Sequence, residues 1–345
     1  MEDQTRLALE KLLSVPLTTE EKGAEAHYRD ALQHICRQLI LDYDIAIASS
    51  EPQQPPRIFN MVEVEAYFKT SEQHHHVDPY THAHPIQFKS GLWYFHHAGL
   101  HGFRGGTRKG MDVTIGNPES GAAGGILIRT LRDDKEGKLI HGPSLVVDAI
   151  LEQLGHTQIK ELVVSRFDDT KTKGVCWDKD SGITLVPKPK KSPSPTIVTE
   201  SKDDTTLGTP RIGLSLKRKT TTTAFDQQLD YLTRPYRMIV WPYGRFAKGL
   251  PYTIVGLFSE GIPEYISFVN KGRLDCFKSE YELGMRRSAQ VLKECARGNL
   301  DILQGTTGMR VRILSAALQH QRQIKGDPAP KQTGPFSLLT HYSLK

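Results

Sequence analysis

The run Val62-Glu63-Val64-Glu65-Ala66-Tyr67 has residue types and spacing suited to chemistry. Extended backbone sends alternate side chains to opposite faces, so Glu63, Glu65 and Tyr67 share one face and Val62, Val64 and Ala66 the other. Two arrangements fit. Either the polar face lies in water at a sheet edge, or the apolar face packs on a core while Glu65 and Tyr67 line a cleft where the carboxylate takes a proton from water. A second concentration of reactive types follows, with eight of the 14 histidines between His74 and His101. His74, His76, Asp78, His82 and His84 are ligand types for zinc or ferrous iron, and a metal there would generate hydroxide. Their spacings match no standard signature such as H-E-x-x-H. The Gly-rich stretch from Gly102 to Gly110 carries Arg104, Arg108 and Lys109 and suits a phosphate, yet it lacks the G-x-x-x-x-G-K-[ST] pattern of nucleotide triphosphate sites.

These residues need elements to hold them. Apolar positions Ala26, Ala31, Leu32, Ile35 and Leu39 predict an amphipathic helix over Thr18 to Leu39. Leu39 to Ala48 and Ile58 to Phe68 read as strands of a hairpin, joined through the Pro- and Gln-rich turn at 51–56. Met111 to Ile115 and Gly124 to Leu131 are further strands, the second buried and carrying Arg129. Gly142-Pro143-Ser144 opens a helix with Ser144 as its cap. Residues 186–209 are rich in Pro, Lys, Ser, Thr and Asp, too poor in apolar surface to offset the entropy of ordering, and read as a flexible insertion. Strand-like pieces resume at Arg211 to Leu214 and Tyr236 to Trp241. Beyond Leu250 the pattern alternates strands with a helix over Tyr281 to Arg297. The expectation is a mixed α+β fold with a curved antiparallel sheet and packed helices over residues 1–245, and a C-terminal extension of unknown role over 246–345.

Composition bounds the rest. A chain of 345 residues has room for two domains. Apolar residues at 38% and charged residues at 24% exclude wholesale disorder and coiled-coil classes. A net charge of +6 suits an anionic partner such as nucleic acid. Basic clusters at Lys188 to Lys191 and Lys217 to Lys219 read as import signals, phosphate anchors or solvated linker charge. The four cysteines form no C-x-x-C pair, so neither a disulfide scaffold nor a zinc site is legible in them. With no long apolar run and no leader-like start, the expected setting is nuclear or cytoplasmic, away from membranes.

The acidic strand resembles that of the alkyladenine (3-methyladenine) DNA glycosylases, which carry E-x-E-A-Y followed by a histidine nine residues after the tyrosine. Gly91-Leu92-Trp93-Tyr94-Phe95, Gly125-Ile126-Leu127-Ile128-Arg129, Gly142-Pro143-Ser144, Arg211-Ile212-Gly213 and Arg234-Pro235-Tyr236-Arg237 resemble later segments of that family in the same order, so the likeness spans roughly residues 30–245. It implies hydrolysis of an N-glycosidic bond, releasing a nucleobase from nucleic acid or nucleoside without a cofactor or metal. In that scheme Glu65 activates water, Tyr67 and His76 sandwich the base, Arg129 orients the water and Asp112 reads the base edge. The chain departs from the family at three places. Ala98 stands where a tyrosine wedge enters the duplex, Asp112 replaces an asparagine, and Leu145 replaces a lysine after G-P-S. Two other classes also fit the residues: a metal-dependent hydrolase built on His74 to His84, and a noncatalytic nucleic-acid-binding module.

Overall fold

The computed structural model describes residues 2–51, 53–99, 102–167, 174–189, 206–216, 222–241, 243, 248–260 and 269–326. His101, most of the expected insertion (190–205), the basic residues Lys190, Lys191 and Lys217 to Lys219, and the C-terminal residues beyond 326 lie outside them. The fold is mixed α+β, as the sequence implies, and divides into two compact units: residues 1–207 with 237–243, and 208–236 with 244–345. The sequence placed one boundary near 245. Residues 208–236 instead cluster with the C-terminal helices, and only the short strand 237–240 returns to the sheet.

The first unit begins with helices α1 (Glu2–Leu12) and α2 (Ala24–Asp42), which leads straight into β1 (Tyr43–Ile47). The long strand β2 (Arg57–Lys69) follows, then β3 (Ser90–Phe95), β4 (His97–Ala98), β5 (Gly102–Phe103), β6 (Met111–Ile115), β7 (Ala123–Asp133) and β8 (Leu139–His141). Helices α3 (Pro143–Leu154) and α4 (Ile159–Arg166) precede β9 (Ile183–Pro187); the division between units passes through β10 (Thr206–Thr209), and β11 (Arg237–Val240) completes the series. Both flanks of the expected insertion are thus strands.

Within this unit the main sheet runs β11-β2-β7-β6-β3, with β1 beside β2, β9 beyond β1 and β8 beside β7. Every registered pair is antiparallel, and the sheet does not close on itself among the described residues. Because β2 is 13 residues long, one of its edges pairs with β1 through Arg57 to Asn60 and with β11 through Glu63 to Glu65, while β7 occupies the other edge. A strand paired on both edges has no edge left for solvent. Its apolar face, Val62, Val64, Ala66 and Phe68, is buried, and α2 packs its Leu32, Ile35, Cys36 and Leu39 inward against this layer. The polar face is buried too: Glu63 is 2% exposed and Glu65 0%. The reading of a polar sheet edge in water is therefore overturned.

Local starts differ in detail from expectation. Helix α3 has Gly142 as its N-cap, at φ 106° where a side chain is strained, followed by Pro143 at the first helical position; Ser144 lies inside the helix.

The second unit is helical among its described residues. It comprises α5 (Thr222–Leu232), α6 (Leu250–Glu260), α7 (Lys271–Arg286), α8 (Ser288–Ala296) and α9 (Thr307–Lys325). Helix α9 packs against the other four. A Cβ on Gly284 of α7 would overlap Ser315 Oγ and the Arg312 carbonyl of α9, so glycine permits the close crossing. Beside it Arg312 grips Glu280 through two bonds of 2.6 and 2.8 Å. The strands expected beyond Leu250 are absent among these residues, as is the one at Arg211 to Leu214. Short apolar runs such as Tyr252-Thr253-Ile254-Val255 carry β-branched residues yet sit in α6, where burial overrides intrinsic preference. Among the described residues no helix is long and apolar enough to cross a membrane.

Candidate functional site

The site is assembled by strand register. Tyr94 pairs with Asp112, Asp112 with Leu127, Leu127 with Glu65, and Glu65 with Arg237, so one row crosses β3, β6, β7, β2 and β11. Directly paired residues point to the same face, which places Tyr94, Asp112, Leu127, Glu65 and Arg237 on one side of the sheet. Tyr67 opposes Gly125, whose missing side chain is replaced by Asp112: a Cβ there would lie 2.7 Å from Asp112 Oδ2.

Arg129 follows Leu127 by two residues on β7 and shares its face by strand alternation. Glu63 pairs with Thr130 and Val64 with Ile128, leaving Arg129 without a direct partner across β2. This bulge turns Thr130, the next residue, to the same face beside Glu63. The Arg129 guanidinium bridges both acids, donating from Nε to Glu63 Oε1 at 3.2 Å and from Nη1 to Glu65 Oε2 at 3.2 Å. Glu63 also accepts from Arg237 Nε at 2.5 Å and Thr130 Oγ1 at 2.6 Å. The Tyr67 hydroxyl donates to Glu65 Oε2 at 2.9 Å.

Two carboxylates thus face two guanidiniums, the charge balance that makes ionic burial tolerable. Burial pushes the Glu63 carboxyl up, but Arg237, Arg129 and the Thr130 hydroxyl outweigh it and hold the group below the usual carboxylate range. Burial disfavours the Arg129 charge, yet Glu65 and Glu63 prevail and raise its pKa. Glu63 is thus tied to Arg237, Arg129 and Thr130, and Glu65 is held by Tyr67 and Arg129. Only Tyr67 is part-exposed, which makes it the outermost member.

The structure brings Glu65, Tyr67 and Arg129 together and treats His76 and Asp112 differently. His76 is 0% exposed, with its ring on Tyr28 at 4.7 Å and Phe68 at 5.8 Å. Its Nδ1 donates to the Phe68 carbonyl at 2.9 Å. No face of this imidazole is open to a base as expected from the sequence; Tyr28 would first have to withdraw. Asp112 is 2% exposed, its Oδ1 engaged by His96 Nε2 at 2.8 Å and its Oδ2 by Gln87 Nε2 at 3.2 Å. Both oxygens expected to read a base edge already have protein partners.

The histidine-rich stretch folds into a ring cluster. His84 stacks on His97 at 4.1 Å, His97 on Tyr94 at 5.4 Å, and His82 meets His96 edge-on at 4.8 Å. Burial pushes the Tyr94 hydroxyl up to about 12, so it stays neutral. His74 bonds Ser71 Oγ through Nδ1 at 3.0 Å. Among the described residues, no group of three or more His, Cys, Asp or Glu side chains gathers as a metal-holding set. The imidazoles of His82, His84, His96 and His97 meet one another through ring faces and edges.

Sequence reading missed Arg237 as the second neutralising cation, Thr130 as a carboxylate donor, and the Asp112–His96 pair. Strand alternation around Glu65 exposed the first carboxylates; nothing local signals partners 174 or 16 residues away.

Among known proteins, no family model matches the chain. It is similar to the uncharacterized protein L759 of Acanthamoeba polyphaga mimivirus, 30% identical over 194 residues that cover 53% of this chain and 76% of that protein. At that identity and coverage, the chain belongs to the family of the viral protein L759.

Proposed function

We propose that the protein hydrolyses an N-glycosidic bond, releasing a nucleobase from nucleic acid or nucleoside, on an alkyladenine-glycosylase-like scaffold. The observation that carries this reading is the convergence of Tyr67 Oη and Arg129 Nη1 on Glu65 Oε2, at 2.9 and 3.2 Å. Breaking such a bond develops positive charge at the sugar carbon, and an ionised carboxylate both stabilises it and accepts the proton of the attacking water. Arg129 holds Glu65 aimed, while Tyr67, at the outer end, gives the ring against which a base stacks. Glu65 is sealed in the ligand-free protein, so the Tyr67–Glu65 hydrogen bond must open on substrate entry.

The test is incubation of parent and Glu65→Gln protein with modified oligonucleotides and nucleosides, scoring free base by mass spectrometry. Release by the parent, reduced on the order of 10²–10⁴-fold in Glu65→Gln, is the expected result; no release by either refutes it. The burial of Glu65 favours one other reading, a noncatalytic nucleic-acid-binding module in which the four-charge cluster is structural. That reading requires equal nucleic-acid affinity in both proteins and no base release.

A further inference from the structure

The basic excess of the chain is lodged in the helical unit. Residues 208–236 with 244–345 hold 20 Lys and Arg against 10 Asp and Glu, a net charge of +10, which leaves 25 against 29, or −4, for the sheet unit. Unbalanced cations in one unit repel one another and weaken its folding, an effect that a bound polyanion relieves. Charge asymmetry between two parts of a chain marks contact with nucleic acid or a membrane surface. Helix α9 shows the same bias, with four Lys and Arg and no acid among its 19 residues.

One stretch of the unit brings such charges to the surface together. Arg286 ends α7, Arg287 forms a one-residue junction, and α8 continues from Ser288. Helix α8 buries Ser288, Val291, Leu292 and Cys295, so its opposite side carries Gln290, Lys293 and, at the C-cap, Arg297. Arg286, Arg287, Lys293 and Arg297 are all exposed and lie within about three helical turns. Glu294 pairs with Arg297 at 3.3 Å and accepts from Asn299 at 2.6 Å. Among the described residues no carboxylate lies within ion-pair distance of Arg286, Arg287 or Lys293, and residues 286–297 carry a net +3.

We infer that this α7–α8 surface binds the phosphate backbone of nucleic acid, so that the helical unit holds the polynucleotide whose base the sheet unit attacks. The second half of the inference rests on the N-glycosidic reading proposed above. Cations spaced along a helix face match charge that repeats along a strand and touch no base edge, so the contact is independent of sequence. A bilayer instead takes up an apolar helix face, and the apolar face of α8 is already buried within the protein. The surface lies beyond residue 245, where the likeness to the glycosylases ends. Because both units belong to one chain, a strand held by the helical unit meets Glu65 at a raised local concentration. A free nucleoside, which has no phosphate, gains nothing from this surface.

The experiment uses the full chain in three forms. Beside the parent stand a helical variant, Arg286→Gln with Arg287→Gln, Lys293→Gln and Arg297→Gln, and a control, Lys11→Gln with Lys22→Gln, Lys135→Gln and Lys160→Gln, which removes four exposed cations from the sheet unit. Binding of a fluorescein-labelled, unmodified DNA duplex is followed by anisotropy from about 50 to 200 mM salt, and pelleting with phosphatidylserine vesicles is measured in parallel. The helical variant is expected to lose duplex affinity on the order of 10²–10³-fold, with the slope of log affinity against log salt reduced by about 3, while the control stays within about threefold of the parent. Unchanged affinity and slope in the helical variant, an equal loss in the control, or no duplex binding by the parent overturns the inference, as does vesicle binding tighter than duplex binding. Glutamine is a good helix former, and matched circular dichroism melts separate lost charge from lost fold. A further variant, Arg286→Lys with Arg287→Lys and Arg297→Lys, keeps the charge and should keep the affinity. The probe carries no modified base, so duplex binding without base release from any substrate sinks the N-glycosidic reading and leaves the surface standing. Base release from nucleosides without duplex binding does the reverse.

Discussion

Replacing Arg237 by methionine tests the charge balance that allows two glutamates beneath one sheet face. Arg237 is 0% exposed and donates to Glu63 Oε1 at 2.5 Å, with Arg129 as the other cation on Glu63. Without Arg237, one guanidinium serves two buried carboxylates, leaving one negative charge uncompensated. Breaking a buried pair from one side costs about 3–5 kcal/mol, because the partner charge stays desolvated. For a unit of this size each kcal/mol lowers the melting temperature by about 2–4 °C, so the expected loss is roughly 6–20 °C. All three tryptophans, Trp93, Trp177 and Trp241, belong to the sheet unit, so their fluorescence follows its unfolding apart from the helical unit. Adding Glu63→Gln to Arg237→Met should recover part of the loss, with a coupling energy of at least about 1 kcal/mol. A loss under about 1 kcal/mol, or strictly additive single and double variants, refutes the argument that Arg237 neutralises Glu63.

Other outcomes follow from the same contacts. Glu63 has a depressed folded pKa, so its contribution is complete above the ordinary carboxylate range and is lost as pH falls through and below it. Tryptophan-monitored melts from pH 7 to 3 should show a shallower acid loss in Glu63→Gln than in the parent, and parallel curves would contradict this. Gly125→Ala should cost about 1–3 kcal/mol by driving a Cβ into Asp112, visible as a lower melting temperature and a perturbed His96 ring signal by NMR. Gly284→Ala should cost about 1–3 kcal/mol in the helical unit alone, lowering the far-ultraviolet circular dichroism transition while the tryptophan transition stays put.

Much of the sheet unit was legible because its signals are local. Alternation over residues 58–68 located β2 within a residue at each end, Met111 to Ile115 coincides with β6, and the turn at 51–56 implied the β1–β2 pairing. The same alternation put Glu63, Glu65 and Tyr67 on one face, where the structure has them. Beyond Leu250 the helix expected over 281–297 falls on α7 and α8, but the strands expected among the described residues there were misread, because apolar runs of four to eight residues do not distinguish a buried strand from a buried helix. Their helical state is decided by packing around α9, including a crossing at Gly284 that no local pattern announces.

What the sequence alone determined, then, is which residues alternate, which stretches are apolar, and that acids, aromatic rings and imidazoles crowd into residues 63–101. Tertiary structure decided their chemical state. Glu65 is a sealed, ion-paired carboxylate because β11 and β7 close both edges of β2 and β7 brings Arg129 to it, while Arg237 of β11 pairs with Glu63. His76 became a core ring because Tyr28, 48 positions earlier, packs on it. Asp112 became the orienting partner of a histidine because a glycine at 125 leaves it room. A side chain's reactivity depends on its solvation and neighbouring charges. Those are set by strand register and helix packing between residues far apart in the chain, which spacing along the sequence does not encode.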